Sequence, residues 1–236
     1  VNGKPLDSSI NFYSLFENTA NRQTILRVNK KPVGEGSRLV TVVPVASESG
    51  LRTRAWVEDN RRLVDKLSGG RLAYVWLPNT GVPGYSSFIR YYYTQQDKEG
   101  TIIDLRYNQG GLVADYVINE LDRKPMGFFT HRDGEPFFSP IAGIYGPKVM
   151  IANESSGSGG DALPYYFKLR NLGPLVGTRT WGGLVGTLGI PQTIDGGGIT
   201  APSLAFYNLE GQWDVENIGV APDIKVENTP SEVIKG

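Results

Sequence analysis

KVMIANESSGSGGDALPYYFKLR, Lys148 to Arg170, reads as strand, tight loop and helix with a serine at the joint. Lys148 to Ala152 is a short apolar, β-prone run, and Gly157, Gly159 and Gly160 punctuate the loop behind it. From Asp161 to Leu169 the apolar residues Ala162, Leu163, Tyr166 and Leu169 fall at helical spacing, so the loop hands over directly to a helix. Ser158 therefore stands at or just before a helix N-terminus. Free N–H groups and the positive end of the macrodipole can stabilise an anion there, beside the serine oxygen. Acyl transfer needs such an arrangement for its tetrahedral oxyanion. Taken locally, the same pattern fits a plain helix cap, because serine is a preferred N-cap. The glycines match neither a phosphate-binding P-loop, for want of Gly-Lys-Ser/Thr, nor the G-x-G-x-x-G fingerprint. The nucleophile elbow G-x-S-x-G is not met either, with Ser156 where its first glycine belongs.

Working outward, strands and helices alternate. The patterns predict strand Leu72 to Leu77, helix Tyr85 to Gln96, strand Thr101 to Leu105 and helix Leu112 to Leu121, then the serine unit and strand Leu175 to Val176. That alternation argues for parallel pairing in an α/β layered domain. Upstream lie a turn at VNG, an amphipathic stretch around Ile10 to Phe16, and strands Thr24 to Val28 and Arg38 to Ala46, the latter interrupted by Pro44. A charged amphipathic helix, Leu51 to Leu67, comes next and is ended by Gly69 and Gly70. After Gly182 the chain becomes glycine-rich and reads as hairpins.

The 236 residues suffice for one large domain, or one domain and part of a second, with a substantial core. Lysine plus arginine, 24, balance aspartate plus glutamate, 24, so nothing points to nucleic acid or an anionic membrane. No apolar run is long enough to span a bilayer, and no signal peptide is read. The opening VNGKPL, without an initiator Met, gives the expectation of a fragment or processed product, and the compartment stays open. With no cysteine and one histidine, His131, thiol chemistry and a Cys/His zinc site within the chain are excluded. His131 sits in FFTHRDGEPFF, where RDGE reads as an exposed hairpin turn.

IIDLRYNQGG, Ile102 to Gly111, is a buried strand running into a glycine pair, and WDVENIGVAPDIKV, Trp213 to Val226, carries Glu216 in a punctuated loop. Alone, the first fits a strand-to-helix turn and the second a solvated charge. Together and in order, IIDLRYNQGG, NESSGSGGD, VGTRTWGG and VENIGVAPD resemble the tail-specific (C-terminal processing) and tricorn peptidases. These are serine peptidases with a ClpP/crotonase-like core, and the resemblance covers about Leu72 to Val226. VNGKPL with its following helix and TILRV is similar to the second half of a PDZ module. The implied organisation is a partial PDZ-like segment at 1–48 and a ClpP/crotonase-like α/β core at 49–236.

Within that resemblance, tail-specific peptidases place a lysine base where this chain has Gly183, in TWGGL, and a glycine cannot act as a base. The tricorn type uses a histidine from an upstream helical domain, oriented by a second serine; both would precede Val1. Carried over, Ser158 is the nucleophile and Glu216 helps hold the catalytic network. The N–H groups of Gly159 and of the Gly110/Gly111 pair form the oxyanion hole. The resemblance implies cleavage of peptide or protein substrates through an acyl-enzyme, no cofactor and no metal, and a homo-oligomer. The chain taken alone is then expected to be a poor or inactive peptidase. A competing reading is a non-catalytic module binding a hydrophobic ligand or peptide, since the same core occurs in retinoid-binding modules. The intact GSGGD loop together with VENIG favours the peptidase.

Overall fold

The computed structural model of the chain describes residues 1–187, 189 and 191–235, and the chain divides into two compact units, Val1–Val57 and Glu58–Gly236. In the first, a 3-10 turn at Phe12–Phe16 precedes β1 (Thr24–Val28), which pairs antiparallel with β2 (Arg38–Val42). The strand expected to reach Ala46 stops at Val42, just ahead of Pro44, whose ring nitrogen has no hydrogen to donate to a ladder. α1 (Ser49–Ser68) ends as its glycine pair predicts: Gly69 and Gly70 have positive φ, and Gly70 N–H returns to the Asp65 carbonyl at 2.7 Å.

The second unit is mixed α/β around a parallel sheet. Its elements are β3 (Leu72–Trp76), α2 (Val82–Tyr93), β4 (Gly100–Asp104), α3 (Ala114–Leu121), β5 (Gly127–Phe129) and β6 (Phe137–Ser139). After them come β7 (Lys148–Ala152), α4 (Gly159–Leu169), β8 (Leu175–Gly177), β9 (Ile224–Lys225) and α5 (Pro230–Lys235). The central sheet has the order β3-β4-β7-β8-β9, parallel throughout. β5 and β6 form a separate antiparallel hairpin around the exposed His131.

The near-continuous apolar strands reflect burial on both faces. Ala73, Val75, Ile103, Met150 and Leu175 are fully buried, packed with Phe88 and Tyr92 of α2, Val117 and Leu121 of α3, and Leu163 and Phe167 of α4. Several boundaries differ from expectation, two helix starts among them. α2 starts at Val82, because Pro83 in the first turn needs no N–H partner. α3 starts at Ala114 instead of Leu112, because Val113 N–H turns aside to the Thr80 carbonyl at 2.8 Å. The hairpins expected after Gly182 reduce, among the described residues, to two isolated antiparallel bridges, Gly186 with Leu204 and Tyr207 with Trp213.

Candidate active site

Ser158 occupies the N-cap position of α4 without behaving as a cap. Its backbone lies at φ 56°, ψ −118°, and its side chain makes no capping bond. A capping serine has extended φ/ψ and accepts an N–H from the first turn. A non-glycine residue in this sparsely populated region costs on the order of 1–3 kcal/mol, so its surroundings must hold it there. They do so from both sides. Ser158 N–H donates to the Gly183 carbonyl at 3.0 Å, and its own carbonyl accepts from Asp161 and Ala162 N–H at 2.8 and 3.0 Å. The half-buried hydroxyl has no hydrogen-bond partner among the described residues. Its neighbour Ser156 is the opposite case: fully buried, with Oγ donating to the Leu105 carbonyl at 2.8 Å and accepting Asn153 N–H at 3.2 Å.

The loop after β4 comes up against the serine. A Cβ on Gly110 would lie 2.6 Å from Ser158 Cβ and 3.0 Å from its Oγ. Gly111, at φ 139°, and Gly159 have no room for a side chain. Their Cβ atoms would fall 2.2 Å from the Thr80 carbonyl carbon and 1.9 Å from Thr80 Oγ1, and that on Gly159 only 2.9 Å from Gly111 N. The glycines thus let the loop, Thr80 and the start of α4 come into close contact. Gly110 N–H donates to Asn108 Oδ1 at 2.9 Å, so this half of the glycine pair already has an acceptor. Gly111 and Gly159 N–H have none among the described residues, and the two residues are packed against each other.

Side chains of the loop itself fix it. Asp104, fully buried at the end of β4, accepts Arg106 Nε at 3.0 Å, Arg106 NH2 at 2.6 Å and the Tyr74 hydroxyl at 2.7 Å. Burial first, and then the Asp104 charge, push the Tyr74 hydroxyl far above its usual range, so it remains a donor. Asn108 is fully buried. Nδ2 donates to the Leu77 carbonyl at 3.0 Å, Oδ1 holds Gly110, and its carbonyl accepts Gly157 N–H at 3.1 Å. One residue thereby ties the end of β3, the glycine pair and the serine loop together.

On the other side of Ser158 runs an extended strap, residues 180–186. Asp161, in the first turn of α4 and fully buried, accepts Gly182 N–H at 2.8 Å and Gly183 N–H at 3.2 Å. The next two N–H groups, of Leu184 and Val185, both go to Glu216 Oε2, at 2.7 and 2.8 Å. Gly186 N–H goes to the Leu204 carbonyl at 2.7 Å. These side-chain acceptors explain why no strand ladder forms where hairpins were expected. Glu216 and Ser158 share the strap without a direct hydrogen bond, and Glu216 Oε1 faces no donor among the described residues. His131 has no hydrogen bond to Ser158 either.

Asn108, Asp161 and Thr80 escaped the reading of the sequence. For the first two a signal existed: each is a polar residue beside glycines in a motif already singled out, where backbone N–H groups need acceptors. What the geometry offers is a serine with a strained backbone and an unpartnered hydroxyl at a helix N-terminus, in a loop packed against a glycine pair, a constellation suited to acyl transfer.

Residues 71–226 match the model of peptidase family S41. The tricorn protease of Thermoplasma volcanium is 36% identical over 232 residues, covering 98% of this chain and 22% of that protein. Tricorn protease homolog 1 of Streptomyces coelicolor is 38% identical over 237 residues, covering 100% and 22%. The crystal structure of the tricorn protease superposes with a TM-score of 0.90 at 33% identity, over 100% of this chain and 23% of that one. The chain thus spans little more than a fifth of the length of the relatives it matches.

Proposed function

The chain belongs to peptidase family S41, and from that premise we propose that it is the catalytic core of a tricorn-like serine endopeptidase acting on peptide or protein substrates. The observation that carries the reading is Ser158, held at positive φ with an unpartnered hydroxyl against Gly110. Ser158 Oγ attacks the scissile carbonyl carbon while its proton passes to a general base. The oxyanion is received by the N–H groups of Gly159 and Gly111, the donors left without acceptors. Collapse of the intermediate breaks the C–N bond, the base returns the proton to the leaving amine, and water then hydrolyses the acyl-enzyme.

The base in this reading is a histidine of an upstream helical domain, oriented by a second serine. Gly183, at the position of the tail-specific lysine, supports that choice. Glu216 serves the network through its free Oε1 while Oε2 keeps the strap in place. The core is ClpP/crotonase-like, the segment 1–48 is the second half of a PDZ-like module, and the working enzyme is a homo-oligomer. Support for these finer points comes from the ordered motifs and from tricorn relatives that are much longer than this chain.

A fluorophosphonate adduct on the full-length protein, mapped by peptide mass spectrometry, tests the nucleophile. We expect it on Ser158, and an adduct on Ser155 or Ser156 overturns the assignment. Glu216→Gln is expected to lower kcat by more than it changes KM.

A further inference from the structure

Trp181 is a large aromatic residue left 69% exposed next to Ser158. Its position is built by two glycines. A Cβ on Gly157 would lie 2.6 Å from Trp181 Cε3, and one on Gly183 would lie 2.4 Å from Cζ3. The ring therefore rests on the residue before Ser158 and on the residue whose carbonyl accepts Ser158 N–H. Trp181 N–H donates to the Ser156 carbonyl at 2.9 Å, which fixes its backbone. The ring is seated against the serine loop while most of its surface stays open.

The charges around it are all engaged. In the loop after β4, the serine loop with the first turn of α4, and the strap, the acidic and basic side chains are Asp104, Arg106, Glu154 and Asp161. Asp104 and Arg106 bond each other, Glu154 accepts the Thr178 hydroxyl at 2.7 Å, and Asp161 holds two strap N–H groups. Besides Gln109, Glu154 and Ser155, these segments expose large apolar or aromatic side chains: Tyr107 and Leu112 on the loop after β4 and Trp181 on the strap. An apolar or aromatic side chain gains by covering such surface, and the Trp181 ring carries no charge that could pair with a substrate carboxylate.

We propose that Trp181 is a specificity-determining residue, whose open ring surface takes an uncharged apolar or aromatic side chain of the substrate peptide beside the scissile bond. This rests on Ser158 being the nucleophile. The residue acts in binding and not in bond making, so its loss appears in KM.

The test uses the full-length protein and its Trp181→Ala and Trp181→Phe variants. Internally quenched peptides carry Phe, Leu, Lys or Glu in turn at each position flanking the cleavage point, and each protein is also titrated with a small fluorophosphonate. The expected result is a preference for Phe and Leu at one position. In Trp181→Ala, KM for those peptides rises roughly tenfold, by loss of buried apolar area, with Lys and Glu peptides little changed. Trp181→Phe retains the preference, and Ser158 labelling is unaltered in all three. An unchanged peptide profile in Trp181→Ala with Ser158 still labelled overturns the role of Trp181 alone. Labelling lost in both variants makes the ring a prop of the serine loop and overturns it too. Failure of the unsubstituted protein to label at Ser158 removes the reading underneath, and this inference with it.

Discussion

The two segments that flank Ser158 are immobilised by different means. The loop after β4 carries most of its own anchors: Asp104, Arg106 and Asn108 lie within the stretch they hold, and their side chains reach partners within the loop, on β3 or just after it, with Asn153 adding an acceptor for Tyr107 N–H from outside. The strap after β8, Thr-Trp-Gly-Gly-Leu-Val-Gly, has a single side-chain anchor of its own at its start, Thr180, whose Oγ1 accepts Val220 N–H at 2.8 Å. Four of its N–H groups are held by two carboxylates borrowed from α4 and from the Glu216 loop. The first loop is a local device, and the second exists only once the domain has closed around it.

That contrast predicts unequal sensitivities. Asp161→Asn should be the most damaging change, because it turns one acceptor into a donor facing a buried strap N–H. We expect a loss of about 3 kcal/mol in urea unfolding, together with faster amide exchange at Gly182 and Gly183. Near-wild-type stability would mean that the strap is held by something else. Asn108→Ala should cost less, about 2 kcal/mol, since the Asp104–Arg106 clamp still pins the loop while the Leu77 carbonyl and Gly110 N–H lose their partner. In the full-length protein the same variant should lower kcat with KM nearly kept, because it loosens the glycine pair. A large KM effect would place Asn108 in substrate binding instead. Smallest, and of opposite sign, is Ser158→Gly, which relieves the positive φ and should stabilise the protein by about 1 kcal/mol. If Ser158 were a cap, removing its hydroxyl would bring no such gain.

The same contrast accounts for what could be read in advance. IIDLRYNQGG and the serine stretch announced strand, loop and helix because local spacing sets them, and β4, β7 and α4 lie close to where the pattern puts them. Ser158 and the glycines were visible as types. That Ser158 sits at positive φ was not, since the strain is imposed by Gly183, 25 positions later in the chain and outside any local window. The strap read as hairpin because glycine-rich, strand-prone sequence usually pairs with itself. Nothing local reveals that Asp161 and Glu216 take its donors first. Trp181 was likewise only one aromatic among many until the two glycines beneath it were seen together.

From Gly182 to Gly186 every backbone N–H of the strap has an acceptor inside the molecule. An extended, glycine-rich segment with free donors is a template on which another chain can add a strand, the usual route to edge-to-edge aggregation. Here such a chain would meet no donor at all along five consecutive residues. The carboxylates that hold the strap in position therefore also protect the protein against sticking to its own copies or to unfolded polypeptide.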